Sequence, residues 1–101
     1  MTITKPMSKA LLKQCEQVSG VLKSLAHPVR LKILCHLIER ERSVNELTDF
    51  CDISQSAMSQ FLKRMKEEGI VISRREQNFM YYSVADGKLV KLLQSLKEIY
   101  C

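Results

Sequence analysis

The residues of this 101-residue chain best suited to chemistry near neutral pH are four cysteines, Cys15, Cys35, Cys51 and Cys101, and two histidines, His27 and His36. A thiolate attacks sulfur electrophiles and closes disulfides, and two or three converging thiolates hold soft metals. Packing accounts for some of these positions and not for others. Cys15 stands with Leu11, Val18, Leu22 and Leu25 at intervals of 4, 3, 4 and 3. Cys51 follows Val44 and Leu47 on a second stripe. Both read as small buried hydrophobes rather than reactive thiols. Cys35 shares a stripe with Leu31, Leu34 and Ile38, and on spacing alone it belongs to a core. Cys101 points off the stripe of Leu89, Leu93, Leu96 and Tyr100, so core packing does not explain it, although a frayed terminus would. His36 adjoins Cys35, but adjacent helix positions point apart, so it reads as a surface or interface residue. His27, before Pro28, reads as a helix-start residue rather than a ligand. No acid–base or nucleophilic set converges and no glycine-rich phosphate loop is present, so the chain is not read as an enzyme.

The elements that must position these groups follow from periodicity. A helix is expected from Ser8 to about Leu25, after a disordered tail over residues 1–7. Pro28 starts a second helix, to about Glu39, that is apolar on most of its circumference. Glu39-Arg40-Glu41-Arg42 reads as a solvated connector. Ser43 and Glu46 form a capping box at the start of a third helix, and Cys51-Asp52-Ile53 breaks its pattern. Ser54 caps a fourth helix that buries Met58, Phe61, Leu62 and Met65, and Gly69 sits where a left-handed C-cap residue is needed. The period then changes: Ile70 to Arg75 and Phe79 to Val84 are rich in β-branched and aromatic residues, which predicts a hairpin around Glu76-Gln77-Asn78. Asp86 caps a last helix striped with Leu89, Leu92, Leu93, Leu96, Ile99 and Tyr100.

The whole of 1–101 therefore reads as one mainly α domain with a small β-hairpin, a winged helix-turn-helix. Gln55, Ser56, Ser59, Gln60 and Lys63 lie on the open side of the fourth helix, as a major-groove reader requires. Arg74, Arg75, Gln77 and Asn78 on the wing can reach phosphates or the minor groove. The formal charge of +5 agrees with a polyanion partner, though charge alone discriminates weakly. Leu11, Cys15, Val18 and Leu22 on the first helix, with Leu89, Leu92, Leu93 and Leu96 on the last, exceed what a small core can use. They predict a helical homodimer interface that places two reading helices about one DNA turn apart on an inverted-repeat operator. No stretch has membrane-spanning length or signal-peptide character, so a cytoplasmic protein without membrane association, its cysteines reduced, is expected.

The chain resembles the ArsR/SmtB family of bacterial winged-helix repressors. The likeness runs through Leu25-Ala26-His27-Pro28-Val29-Arg30-Leu31-Lys32-Ile33-Leu34, Ser43-Val44-Asn45-Glu46-Leu47, Ser54 to Leu62, Glu68-Gly69-Ile70-Val71 and Tyr81-Tyr82-Ser83-Val84. It spans roughly Cys15 to Cys101. It implies a homodimer that occupies a promoter and leaves when an inducer is sensed. Two departures stand out: Phe61 where the family commonly has His, and a wing tip without the usual glycine.

Metal-sensing relatives carry closely spaced cysteines on the first helix of the helix-turn-helix, or His and acidic pairs on the last helix. Here the first segment has Cys51 alone and the last helix has no His, so no metal site and no cofactor are expected. Cys35 in Leu34-Cys35-His36-Leu37 and Cys101 in Ile99-Tyr100-Cys101 resemble instead the sulfur- and redox-responsive branch of BigR, SqrR and HlyU type. That resemblance implies redox-sensing thiols that face each other, attack a persulfide or polysulfide, and close a disulfide or polysulfide bridge that releases the DNA. Reactive sulfur species, or other oxidants, are then the inducer. Two alternatives stay open: a metal-responsive or constitutive regulator of the same family, and a winged-helix module that binds protein rather than DNA.

Overall fold

The structure is a computed structural model that describes residues 8–100; the tail expected over 1–7, and Cys101, lie outside the described residues. The elements run α1 (Lys9–Leu25), α2 (Pro28–Leu37), β1 (Arg42–Ser43), α3 (Val44–Cys51), α4 (Gln55–Glu67), β2 (Val71–Glu76), β3 (Phe79–Val84) and α5 (Gly87–Tyr100). This is the expected mainly helical winged fold, with one addition.

Each helix begins where a side chain can serve its orphan N–H groups. Ser8 Oγ accepts from Leu11 N–H, Ser54 Oγ from Ala57 N–H, and Asp86 Oδ1 from Lys88 N–H, at 3.1, 3.1 and 2.9 Å. At α3 the capping box is complete: Glu46 N–H donates to Ser43 Oγ, and Ser43 N–H donates back to the Glu46 carboxylate. His27 caps α2 through Nδ1, which accepts from Val29 N–H at 3.2 Å, as its helix-start position implied. The helix-turn-helix bend is made by Asp52, in the left-handed region at φ 52 and ψ 48. Gly69, at φ +77, ends α4 with Ile70 N–H donating to Met65 O and Gly69 N–H to Lys66 O. That pair of bonds is a Schellman cap, and it turns the chain directly into the wing.

One core joins all the helices and the base of the wing. Ile33 and Leu34 of α2, Leu47 of α3, Met58, Leu62 and Met65 of α4, and Leu93 of α5 are inaccessible. Phe61 is only half-buried, its ring 5.1 Å from that of His27. The molecule measures 54 × 28 × 20 Å, and α1 buries only Leu25 in the chain itself.

The wing is a three-stranded antiparallel sheet in the order β1-β3-β2, where a two-stranded hairpin was expected. Val71 pairs with Val84 and Glu76 with Phe79, so the connection is the two residues Gln77-Asn78, with Gln77 at φ 56 in the place of the missing glycine. The third strand corrects the reading of Glu39 to Arg42 as a solvated connector. Arg42 and Ser43 pair with Tyr82 and Tyr81, and Arg42 is buried. A charged two-residue strand has no alternation to announce it; the edge of β3 supplies its hydrogen bonds. Among the described residues no helix is long and apolar enough to cross a membrane.

Candidate functional site

The side on which the sequence placed its candidate DNA contacts is built by α4 and the wing. Met58, Leu62 and Met65 hold one side of α4 in the core, which leaves Gln55, Ser56, Ser59, Gln60 and Lys63 exposed on the other. The wing folds toward the start of this helix. Gln55 and Ser59 share a concavity of about 240 Å³ with Asn78 and Phe79 from the wing and Ser43 and Asn45 from the start of α3. The structure thus brings Asn78 to Gln55 and Ser59, 23 and 19 positions earlier in the sequence. Asn45 and Phe79 were not singled out from the sequence. The signal for Asn45 was present, since the capping box places it in the first turn of α3, where N–H groups attract phosphate. Lys66 Nζ donates to Ser73 Oγ at 2.6 Å and ties the end of α4 to the wing.

The wing arginines differ. Arg74 is held from two sides: its guanidinium donates to both oxygens of Glu41 at 2.6 and 2.8 Å and to Glu76 at 2.9 Å, and it lies 4.9 Å from the Tyr81 ring centre. These bonds hold the Glu41 carboxyl below the usual carboxylate range and push the Arg74 pKa up. In the free protein Arg74 is therefore a clasp between the wing and the segment before β1. Arg75, exposed, lies on the opposite face of the ribbon, and Gln77 stands at its tip.

The thiols occupy three different settings. Cys51 is buried as expected, and that burial pushes its pKa up, which makes it a poor nucleophile. Cys15 is exposed in the single chain, because the face it shares with Leu11, Val18 and Leu22 has no cover from the rest of the molecule. Cys35 is half-buried and lines a groove of about 360 Å³ between α2 and α5. Leu31 and His36 contribute from α2 and Glu39 from the turn after it; Leu96, Lys97 and Tyr100 close it from α5. Tyr100 is the residue before Cys101.

His36 does not act as a cationic neighbour to Cys35. Its ring stacks on Phe50 of α3 with centroids 4.4 Å apart and planes at 13°. Partial burial holds its pKa below the ordinary value, and the Arg42 and Lys97 charges add to that against an opposing effect of Glu39. The Arg42 guanidinium lies 5.0 Å from the centre of the same Phe50 ring, and its Nε donates to the His36 carbonyl at 3.3 Å. Cys35 thus sits one residue from a cluster that connects α2 to α3 and β1.

The last helix requires a correction. Leu89 and Leu93, expected at the dimer interface with Leu92 and Leu96, are buried in the chain's own core. Packing against α2 and the base of β3 turns that side of α5 inward, and Leu92 and Leu96 are left half-buried beside it. On α1 the expected stripe does remain exposed: Leu11, Val18 and Leu22 are each 43–50% accessible. Ile99 and Tyr100 are also exposed.

Residues 27–73 match the family model described as "Bacterial regulatory protein, arsR family". The "Biofilm growth-associated repressor" of Agrobacterium fabrum is 41% identical over 92 residues, 91% of this chain and 79% of that protein. The solved structure of the transcriptional repressor BigR from Xylella fastidiosa superposes with a TM-score of 0.84 at 38% identity, over 94% of this chain and 98% of that one. Reduced HlyU from Vibrio cholerae gives 0.86 at 32% identity, over 93% and 99%. A homodimeric winged helix-turn-helix DNA-binding domain from Mycobacterium bovis gives 0.75 at 28%, over 95% and 89%.

Proposed function

This chain belongs to the ArsR family of bacterial transcriptional regulators, within its BigR/HlyU-like branch, and from that premise we propose that it is an operator-binding repressor released by a thiol switch. It binds an inverted-repeat DNA site as a homodimer, with α4 in the major groove and the wing on the flanking backbone. Cys35 and Cys101 are the sensing pair, and persulfides or polysulfides are the inducer.

The observation that carries the switch is the groove that Cys35 of α2 and Tyr100 of α5 both line. Cys101 follows Tyr100 by one peptide unit, a Cα step of about 3.8 Å. A disulfide needs Cα atoms roughly 4.4–6.8 Å apart, and the sequence position of Cys101 next to a residue lining the Cys35 groove is what supports the pairing. The exposed α1 stripe supports the dimer. Likeness to a relative whose structure is described as reduced agrees with a redox-dependent state.

The chemistry balances without a further oxidant. One thiolate attacks the outer sulfur of a persulfide RS–SH, which breaks the donor's S–S bond, expels RS⁻ and leaves a protein persulfide. The second thiolate attacks the inner sulfur of that persulfide and expels HS⁻. The two cysteines lose two electrons to the transferred sulfur atom, and a disulfide joins α2 to α5. Release needs only that the bridged dimer bind DNA less tightly than the reduced one. A bridge at this place pulls on α2 beside the His36–Phe50–Arg42 cluster, which carries α3 and β1.

The test is operator binding by fluorescence anisotropy, with and without a persulfide donor. The reduced protein should bind with strong salt dependence and be released on treatment, and Cys35→Ser and Cys101→Ser should each stay bound. Normal release of both variants would sink the thiol assignment. Stoichiometric, tight binding of zinc, cadmium or arsenite that releases the DNA would replace it with a metal switch.

A further inference from the structure

We propose that the groove beside Cys35 selects uncharged, hydrocarbon-bearing sulfur electrophiles, organic persulfides and polysulfides with apolar bodies, over charged donors. This rests on the reading of Cys35 as the sensing thiol and names the class of molecule that reaches it.

At about 360 Å³ the groove is at the small end of cavities that hold organic molecules. Leu31, Leu96 and Tyr100 form apolar walls around the half-buried Cys35. The charged residues that line it are Glu39 and Lys97, and they are paired with each other, Nζ to Oε1, at 3.1 Å. Each is about half exposed, so the pair stands at the solvent side of the groove and not at its floor. An anionic donor meets Lys97 already neutralised by Glu39, and a cationic donor meets Glu39 already neutralised by Lys97. Either must break that pair or leave its own charge beside hydrocarbon, which is unfavourable. An alkyl group loses nothing and removes its own surface and the walls' surface from water.

Complete burial of a methylene corresponds to about fourfold in an equilibrium or rate constant (about 0.8 kcal/mol). In a groove open on one side about half of that energy, or twofold per methylene, is expected. Selection of this kind acts before bond exchange, in the encounter of the donor with the thiolate.

Alkyl methanethiosulfonates test it directly on the reduced, full-length protein. The Cys35 thiolate attacks the sulfenyl sulfur, forms Cys35–S–S–R, breaks the S–SO₂ bond and releases methanesulfinate. Rates at Cys35 are read by mass spectrometry of the peptide and divided by those of N-acetylcysteine with the same reagent. From the methyl to the butyl reagent the normalised rate should rise about eightfold, from three methylenes at about twofold each. The sulfonatoethyl and trimethylammonioethyl reagents should both fall below the ethyl reagent. Tyr100→Ser, at a position 82% exposed and so without effect on folding, should flatten the gradient. A flat series, or a charged reagent that outruns ethyl, overturns the proposal. Operator release separates it from the premise. A clear gradient with release that ignores Cys35→Ser refutes the sensing role and leaves the selectivity standing. Release that depends on Cys35, with no gradient, refutes the selectivity alone.

Discussion

Replacement of Arg42 by Met isolates the cluster that joins the Cys35 helix to α3 and β1. Arg42 is 8% exposed and reaches four groups. Its Nε donates at 3.3 Å to the His36 carbonyl, one of the C=O groups that the end of α2 leaves without a helical partner. Its fork lies 3.2 Å from Glu39 and 3.7 Å from Glu46, and its charge faces the Phe50 ring. Met fills a similar volume on a flexible stem and carries no charge. Both carboxylates keep another cation, Lys97 on Glu39 and Arg40 on Glu46, so neither is stranded. The loss is the charged hydrogen bond and the cation at the helix end. Such a bond contributes about 1.5–3 kcal/mol and the end charge about 0.3–1 kcal/mol, and the two overlap, so about 2 kcal/mol per chain is expected. For a domain of this size that is about 8–16 °C in Tm. Urea unfolding at one fixed protein concentration measures it, because dimer stability depends on concentration.

A second readout in the same variant is the titration of His36 by NMR. Arg42 is one of the charges that hold the His36 pKa below 6.5, so its removal should move that pKa up. The linkage has a definite sign. With the folded pKa depressed, the unfolded chain binds the proton first, so the stability due to neutral His36 is complete above about pH 6.5 and falls as the pH drops toward the folded value. In Arg42→Met that window narrows. A stability loss below about 0.5 kcal/mol, or a His36 titration that stays put or moves down, would refute the account of Arg42 as the end cap of α2.

Three further outcomes follow from single contacts. Gln77→Gly relieves a left-handed φ at the wing turn and should stabilise the protein by about 0.5–1 kcal/mol, read as a higher Tm; a lower Tm would contradict the strain. Ser54→Ala removes the cap of α4 and should cost about 1 kcal/mol in urea unfolding, whereas Ser54→Gly should cost only a few tenths; equal losses would show that the hydroxyl is not the cap. Glu41→Gln should loosen the Arg74 clasp and, with one added phosphate contact per chain, steepen the dependence of log K on log salt by about 2 per dimer. A salt slope equal to that of the parent protein would show that Arg74 does not turn to the backbone.

The local elements were written in the sequence because they depend on local physics. Caps at Ser43, Ser54 and Asp86, the left-handed Gly69, and apolar residues at helical spacing each act within one or two turns, and all are where the spacing placed them. The exposed face of α4 was legible for the same reason: once Met58, Leu62 and Met65 are buried, Ser56, Gln60 and Lys63 can only point outward. What failed was what depends on distant partners. Spacing made Leu89 and Leu93 as good an interface as Leu92, and only the arrival of α2 and β3 turned them inward. Arg42 read as solvated because its own neighbours are charged; the strand edge of β3 and the Phe50 ring that bury it lie 40 and 8 residues away.

The sequence by itself therefore determined the five helices, the two long strands, the exposed face of α4 and the family. Only the tertiary structure decided that Arg74 is clasped by Glu41, that Asn78 meets Gln55 and Ser59, and that Cys35 opens into a groove closed by Tyr100. Each of these joins residues 19 or more positions apart. Chain connectivity says nothing about such encounters until the core of α2, α3, α4 and α5 has set where each helix ends.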